Sequence, residues 1–177
     1  YTLEGDSVNA ALSYAGAIPF AGWFATAGRL GYKVVTFAGK TTVLKWIVKA
    51  DGLISFGNRN QLARVLGTAG TGKHAHHLIP VDLADMSIVQ RAAKAPGDSP
   101  FHINSALNGI PLNSTNHLTG HDRYNAKIFE ILQRLNGQVS DNREAYIELA
   151  KFTDYLYNLI KRNQDLNLGQ IADLIRY

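Results

Sequence analysis

The positions of the histidines constrain this chain more than any other feature of its sequence. All six lie between positions 74 and 121 of a chain of 177 residues. They are His74, His76, His77, His102, His117 and His121. Histidines that served only as core or surface residues would be spread along the chain, so the clustering predicts a shared site. Because there is no cysteine, a transition-metal ion at that site can take only imidazole nitrogen and oxygen ligands.

The spacing within the cluster separates two kinds of histidine. His117 and His121 are four residues apart, so on a helix they lie on one face and can share an ion. His76 and His77 are neighbours, and neighbours on a strand point to opposite faces. If His76 faces the other pair, an ion has three imidazole ligands and keeps open positions for water and phosphate, as catalytic sites do. His77 is then free to take a proton from an attacking water.

The N-terminal third of the chain is apolar and is predicted to be helical. The run from 7 to 28 carries no charge and is rich in Ala and Gly, with Pro19 in its middle. We expect a helical hairpin packed on a neighbour there rather than a membrane span. Residues 41–50 are predicted to form an amphipathic helix. Residues 53–73 are irregular and glycine-rich, which is typical of a linker.

The rest of the chain is predicted to be helix-rich with one small hairpin. The predicted elements are a strand at 77–80, a helix at 82–93, a hairpin strand at 108–113, a helix from 117 or 120 to 135, and helices at 142–161 and 168–175. The adjacent histidine pair lies at the start of the predicted strand at 77–80, and the H-x3-H pair lies at the start of the helix that begins at 117 or 120. The site therefore requires them to meet in the folded chain.

The charge distribution favours a polyanionic partner only weakly. The formal net charge is +4. Residues 1–73 carry eight Lys and Arg against three Asp and Glu, whereas residues 74–135 carry five of each. An assignment to nucleic acid must therefore rest on the site itself. The chain begins at Tyr1 and opens without a secretion signal, so we expect it to be a piece of a longer polypeptide.

Three segments together resemble a known family. They are HAHHLIP at 74–80, FHINSALNGIPLN at 101–113 and NHLTGHDRYN at 116–125. They resemble the AHH branch of the HNH/endonuclease VII nucleases, which is found at the C-termini of bacterial polymorphic toxins. The resemblance covers about residues 73–135. The spacing N-x8-H-x3-H that starts at Asn108 is also similar to that of the DNase-type colicins.

The resemblance implies a ββα-metal finger, in which one strand ends in the histidine pair, a second strand follows the Asn, and a helix supplies the remaining ligands. It implies that His76 is a metal ligand and that His77 and Asn108 are the catalytic residues. His77 is then the general base, and Asn108 holds the loop between the strands through backbone hydrogen bonds. His117 and His121 complete the metal site. The implied cofactor is a divalent ion, with Mg, Mn, Zn and Ni as alternatives.

The fold class expected from this resemblance is α+β and mostly helical. A ββα-metal core would stand between an N-terminal helical segment and C-terminal helices. We expect residues 1–66 to be an apolar helical segment and linker, because residues 5–31 are similar to the pretoxin segments of secreted toxins. Residues 67–177 would then be the nuclease domain.

The expected activity is hydrolysis of phosphodiester bonds by water, on DNA rather than RNA and with low sequence specificity. Lys73, Arg123 and Lys127 are candidate phosphate contacts. The resemblance also implies two protein partners: the upstream part of a larger secreted toxin, and a cognate immunity protein, which should be acidic. Such a domain would be delivered into the cytoplasm of a target bacterial cell.

Four alternatives compete with this interpretation. An RNase could use the same site, and a non-catalytic zinc module could use the same histidines to hold a structural ion. A membrane-active toxin could be built on residues 7–39. A nucleotide triphosphatase is disfavoured, because the G-x4-G-K pattern at 67–73 is followed by His74 where a phosphate-binding loop needs Ser or Thr.

Overall fold

The structure is a computed structural model, and it describes residues 13–17, 30–97 and 100–177. The strands are β1 (Ser13–Ala17), β2 (Leu30–Phe37), β3 (Lys40–Val48), β4 (Ile54–Ser55), β5 (Lys73–His77) and β6 (Gly109–Asn113). The helices are α1 (Gln61–Val65), α2 (Ser87–Ala93), α3 (Ser114–His117), α4 (His121–Asn136), α5 (Asn142–Arg162) and α6 (Leu168–Leu174). Short 3₁₀ turns at Val81–Leu83 and Ala106–Asn108 precede α2 and β6.

The first four strands form an antiparallel sheet in the order β1-β2-β3-β4. Side chains in β3 alternate strictly, with Leu44, Trp46 and Val48 buried and their neighbours exposed. The helix predicted at 41–50 is therefore wrong. The segment is rich in β-branched and aromatic residues, which favour strands. A tight turn at Ala38 and Gly39, both with positive φ, joins it to β2 in a hairpin.

The helical hairpin predicted at 7–28 lies largely outside the described residues. Its described part, Ser13–Ala17, is strand β1 and pairs with β2, so the prediction of an N-terminal helical segment is wrong there. The predicted linker at 53–73 contains β4 and α1, and Leu62 and Val65 of α1 are buried. In the residues that the structure describes, no helix combines the length and apolar character that a membrane crossing requires.

A second, two-stranded sheet pairs β5 with β6 antiparallel, so that His76 lies opposite Ile110 and His77 opposite Gly109. The predicted hairpin strand at 108–113 is confirmed as β6. The predicted strand at 77–80 is displaced, because β5 ends at His77 and Pro80 starts a 3₁₀ turn. Helices α3 and α4 follow β6 directly. This strand–strand–helix unit carries both histidine pairs.

The helix predicted to start at 117 or 120 begins at His121, so His117 and His121 lie on different helices. Helix α3 ends at His117, and α4 begins at His121 after Gly120, whose φ is +84°. A Cβ atom at Gly120 would lie 2.1 Å from the backbone nitrogen of Gly169, so only glycine fits this turn. The predicted C-terminal helices are confirmed as α5 and α6, whereas the predicted helix at 82–93 is shortened to α2.

One hydrophobic core connects the first sheet to the helices. It includes Trp46 and Ile54 of that sheet together with Ile88 of α2, Tyr124 of α4 and Phe152 of α5. The α+β fold class is confirmed. The domain boundary at residue 66 stays a prediction. Buried contacts connect residues on the two sides of this boundary.

Three of those crossing contacts are buried hydrogen bonds between a side chain and the backbone. The Trp46 indole Nε1 donates to the Phe101 carbonyl at 2.8 Å. The Gln90 amide donates to the Ile54 carbonyl at 3.0 Å and accepts from the Ile54 backbone N–H at 2.6 Å. Unpaired buried backbone groups are costly, so these bonds fix the first sheet against the layer that carries the site.

Candidate active site

Strand β5 presents its two adjacent histidines to different surroundings. The His76 side chain is only 3% exposed and points towards α3 and α4. The His77 ring points the other way, where its Nε2 lies 2.8 Å from Asn104 Oδ1. The alternation of a strand thus separates the two imidazoles, as the sequence predicts.

Three imidazole rings converge beside β5. The His76 ring centroid lies 5.3 Å from that of His117 and 6.0 Å from that of His121, and the latter two lie 4.8 Å apart. The turn at Gly120 brings His117 and His121 together although they belong to different helices. Tyr124 packs against the cluster. Its ring lies 5.2 Å from that of His76, and its hydroxyl donates to the Leu78 carbonyl at 2.8 Å.

The cluster has the donor chemistry that a divalent ion requires. His76 Nε2 and His117 Nδ1 are buried and lack a hydrogen-bond partner in the described part of the chain. Buried polar atoms are rarely left unpaired, so these two nitrogens indicate a missing ligand. Imidazoles around one tetrahedral ion have ring centroids about 5 Å apart, since each nitrogen lies about 2.1 Å from the metal.

The rings are close together but not yet in ligating geometry. Within residues 13–17, 30–97 and 100–177, no group of three or more His, Cys, Asp and Glu side chains is already arranged around a metal position. Binding therefore requires the rings to rotate so that their free nitrogens face a common point. The residues fit an ion in identity and spacing, and the ligand set stays a prediction.

The surroundings of the cluster keep the imidazoles of His76 and His117 neutral. Burial lowers the pKa of His76 well below its usual value, and the nearby His117 and His121 lower it further. Burial, followed by the charges of His121 and His74, lowers the pKa of His117 to about 4. A neutral imidazole is the form that ligates metal. His76 and His117 are thus in the metal-binding protonation state near pH 7.

His77 is half-buried and lies next to, but outside, this cluster. Burial lowers its pKa, the hydrogen bond to Asn104 opposes that effect, and the charge of Arg59 lowers it again. The net shift is downward, so the ring is neutral at pH 7 and has one nitrogen lone pair. This is the protonation state that a general base requires.

Asn108 is completely buried, and its side chain forms hydrogen bonds to backbone groups. Its side-chain oxygen accepts from the Ile79 N–H at 2.7 Å, and its amide donates to the carbonyls of Ile79 and Ile103 at 3.0 and 2.9 Å. Its own carbonyl accepts from the Leu78 N–H at 2.9 Å. These bonds hold the segment after His77 against the loop before β6. Asn108 therefore acts by position and does not reach a substrate.

A cleft of about 760 Å³ lies over the histidines. Lys73, His74 and Arg59 contribute basic side chains to its lining, together with His76, His77, His117 and His121. Of the three predicted phosphate contacts, Lys73 alone lines it. Arg123 forms an ion pair with Asp173, and Lys127 lies 3.6 Å from Glu130.

Several residues at the site were missed by sequence reasoning. Arg59 belongs to the segment interpreted as a linker. Asn104 lies within the second of the three family-like segments, at 101–113, but received no role of its own. His74 received no role at the site, yet its ring lies 5.1 Å from that of His117. Because β5 alternates, His74 and His76 share a face, and this was the one signal available in the sequence.

A family model described as "AHH: a nuclease family of the HNH/ENDO VII superfamily with conserved AHH" matches residues 59–162. The match spans 104 of the 177 residues, which is more than half of the chain. Ala75, His76 and His77 form the AHH triplet of this sequence, and they lie on the strand beside the ring cluster. No curated protein and no solved structure matched the chain.

Proposed function

This chain belongs to the AHH nuclease family of the HNH/ENDO VII superfamily, and from that membership we propose that it is a DNA endonuclease whose active site is the cleft over His76, His77, His117 and His121. A nuclease of this superfamily is a metal-dependent phosphodiester hydrolase. The observation that carries the proposal is the convergence of three imidazoles, two of them with unpaired buried nitrogens, beside a separate neutral histidine.

His76, His117 and His121 are the residues that would hold the divalent ion. When bound, such an ion polarises the scissile phosphate and stabilises the leaving oxygen. His77 takes a proton from the attacking water through its free ring nitrogen. Asn108 keeps the segment after His77 in place through its backbone hydrogen bonds. Water attacks directly, so no covalent intermediate with the chain forms.

The phosphate backbone of the substrate would run along the basic lining of the cleft. Lys73 and Arg59 stand on that lining with exposed side chains, and cations so placed lower the cost of bringing a polyanion to the histidines. Arg123 and Lys127 are weaker candidates, because both have acidic partners. The cleft also contains Asp82 and Asp122, so the attraction is local rather than a broad basic surface.

We propose DNA as the substrate and low sequence specificity. The support is the similarity in motif spacing to DNase-type colicins, together with a cleft whose basic groups would contact the sugar-phosphate backbone. The test is incubation of the purified chain with plasmid DNA and with total RNA, with and without EDTA. Cleavage of the plasmid that EDTA abolishes is expected. Cleavage of RNA alone would contradict the choice of substrate, and no cleavage of either would contradict the proposal.

We also propose that the chain is the toxic domain of a larger secreted protein, delivered into the cytoplasm of a target bacterial cell and neutralised by an acidic immunity protein. The support is the resemblance of its motifs to polymorphic-toxin nucleases, and the lethality that a nuclease of low specificity has for the cell that makes it. Expression of the unmodified chain alone in a bacterium should arrest growth, and expression of His77→Ala should not. Normal growth with the active chain would contradict the toxin role.

A further inference from the structure

The buried side-chain amide of Asn104 contacts the His77 ring, which points away from the cluster of His76, His117 and His121. Asn104 is completely buried, and its Oδ1 lies 2.8 Å from His77 Nε2. Its Nδ2 lies 3.4 Å from the Phe56 carbonyl, 3.1 Å from the Asn58 carbonyl and 3.4 Å from Gln61 Oε1. Every polar atom of the Asn104 side chain thus has a partner.

The partners of Asn104 determine which way its amide faces. The carbonyl oxygens of Phe56 and Asn58 can only accept hydrogen bonds, so the NH₂ group must face them. The amide oxygen must then face His77, and because that oxygen can only accept, His77 Nε2 must be the donor. In a neutral imidazole one nitrogen carries the proton and the other has the lone pair. The lone pair of His77 is therefore on Nδ1.

A second histidine holds the backbone of Asn104. The Asn104 N–H donates to His102 Nδ1 at 3.0 Å, so that nitrogen is unprotonated, and His102 Nε2 donates to the Lys45 carbonyl of β3 at 3.0 Å. The His102 ring lies edge-on to Trp46 and Phe56, with centroids 4.6 and 5.1 Å away. His102 thus fixes the loop of Asn104 to the four-stranded sheet.

We propose that Asn104 is a positioning residue that fixes His77 as the Nε2–H tautomer and so makes Nδ1 the atom that takes the proton from water. The inference rests on the proposed function for the role of His77 as base, but not for its tautomer. Residues 100–105 and the first sheet would then have a role in positioning the base. They connect to His77 through the hydrogen bonds of His102 and Asn104, and residues 100–105 do not line the cleft.

The tautomer can be measured directly by long-range ¹H–¹⁵N NMR of the metal-free chain labelled at histidine, above pH 7 and without substrate. A ring nitrogen that lacks a proton resonates far from one that carries it, so each histidine reports its tautomer. The His77 signals are identified by their loss in His77→Gln. The expected result is Nε2–H in the unmodified chain. A predominant Nδ1–H form of His77 in the unmodified chain would overturn the proposal.

The variant Asn104→Ala removes the acceptor for the Nε2 proton. We expect a mixture of His77 tautomers, a kcat lower by about 10- to 100-fold as for other residues that orient a functional histidine, and unchanged KM and metal affinity. The control is Asn163→Ala, which removes a hydrogen bond to the Leu159 carbonyl at the end of α5 and should change none of these values. An unaltered His77 tautomer in Asn104→Ala would overturn the proposal. Absence of nuclease activity in every form would instead contradict the proposed function.

Discussion

His76 and His117 face each other with ring centroids 5.3 Å apart, and each has one buried nitrogen without a hydrogen-bond partner among the described residues. Two such nitrogens at one place are hard to explain by packing alone, because a buried unpaired polar atom costs on the order of 1–3 kcal/mol. A shared divalent ion would satisfy both. The pair therefore gives the sharpest test of the metal site.

The first prediction is that the ligand histidines govern metal affinity. His76→Ala and His117→Ala should weaken binding of a divalent ion, since each loses one of three donors, and a higher metal concentration should restore part of the activity. Isothermal titration calorimetry with Zn²⁺, Mn²⁺ and Ni²⁺ measures the change. His102→Gln is a suitable control, because this histidine is buried on the other side of His77. Unchanged affinity in both ligand variants would place the metal elsewhere.

The second prediction separates His77 from its neighbour. His77→Ala should keep metal affinity near that of the unmodified chain, because its ring faces Asn104 rather than the cluster. Its rate of plasmid cleavage should fall by roughly 100- to 10,000-fold, the usual contribution of general base catalysis. Added metal should not restore it. If His77→Ala loses the ion while His76→Ala keeps it, the two roles are reversed.

The third prediction concerns Arg59, which stands on the cleft lining and has no ion pair among the described residues. In a His77→Ala background that cannot cut, Arg59→Ala should weaken binding to a short DNA duplex. It should also reduce the slope of log affinity against log salt by about 0.9, the value for one lost phosphate contact. Arg64→Ala is the matched control, since Arg64 is exposed in α1 but does not line the cleft. Equal slopes for the two variants would exclude Arg59 from the interface.

The parts of the site that sequence reasoning located are those with a local signature. The AHH triplet predicts a strand with one histidine on each face, and the H-x3-H spacing predicts that His117 and His121 meet. His117 and His121 do lie together, but for a different reason. A turn at Gly120, enforced by the close approach of Gly169, brings the two rings together, although they lie on different helices and not on one helical face.

The parts that were missed depend on contacts between distant segments. Asn104 reaches His77 across 27 positions and Asn58 across 46, and nothing in its neighbouring sequence indicates either contact. The residues of β3 satisfied a helical period over a short window, but their two-residue alternation and β-branched content favoured the strand that the structure shows. Arg59 was missed because a glycine-rich segment was taken for a linker, although it folds around α1 against the site.

The last prediction concerns the acid stability of the fold. His102 is buried between Trp46 and Phe56, and burial lowers its pKa to about 3, although its hydrogen bond to the Lys45 carbonyl raises it. In the unfolded chain its pKa is near 6.5. Between these values the unfolded state binds a proton at His102 that the folded state does not. The contribution of His102 to stability is therefore constant above about pH 6.5 and decreases as the pH falls towards 3.

Integrated from pH 7 to pH 4, this difference lowers the free energy of unfolding by about 3 kcal/mol. In His102→Gln the change of unfolding free energy over the same range should be smaller by about that amount, even though the variant is less stable at pH 7. Urea unfolding of both metal-free chains at pH 7 and pH 4 measures the two changes. The His102 ring signals of the unmodified chain should also stay those of a neutral imidazole at pH 5. If both chains lose the same stability, or if the ring is protonated at pH 5 while the chain is folded, His102 is not the buried neutral support on which the position of Asn104 depends.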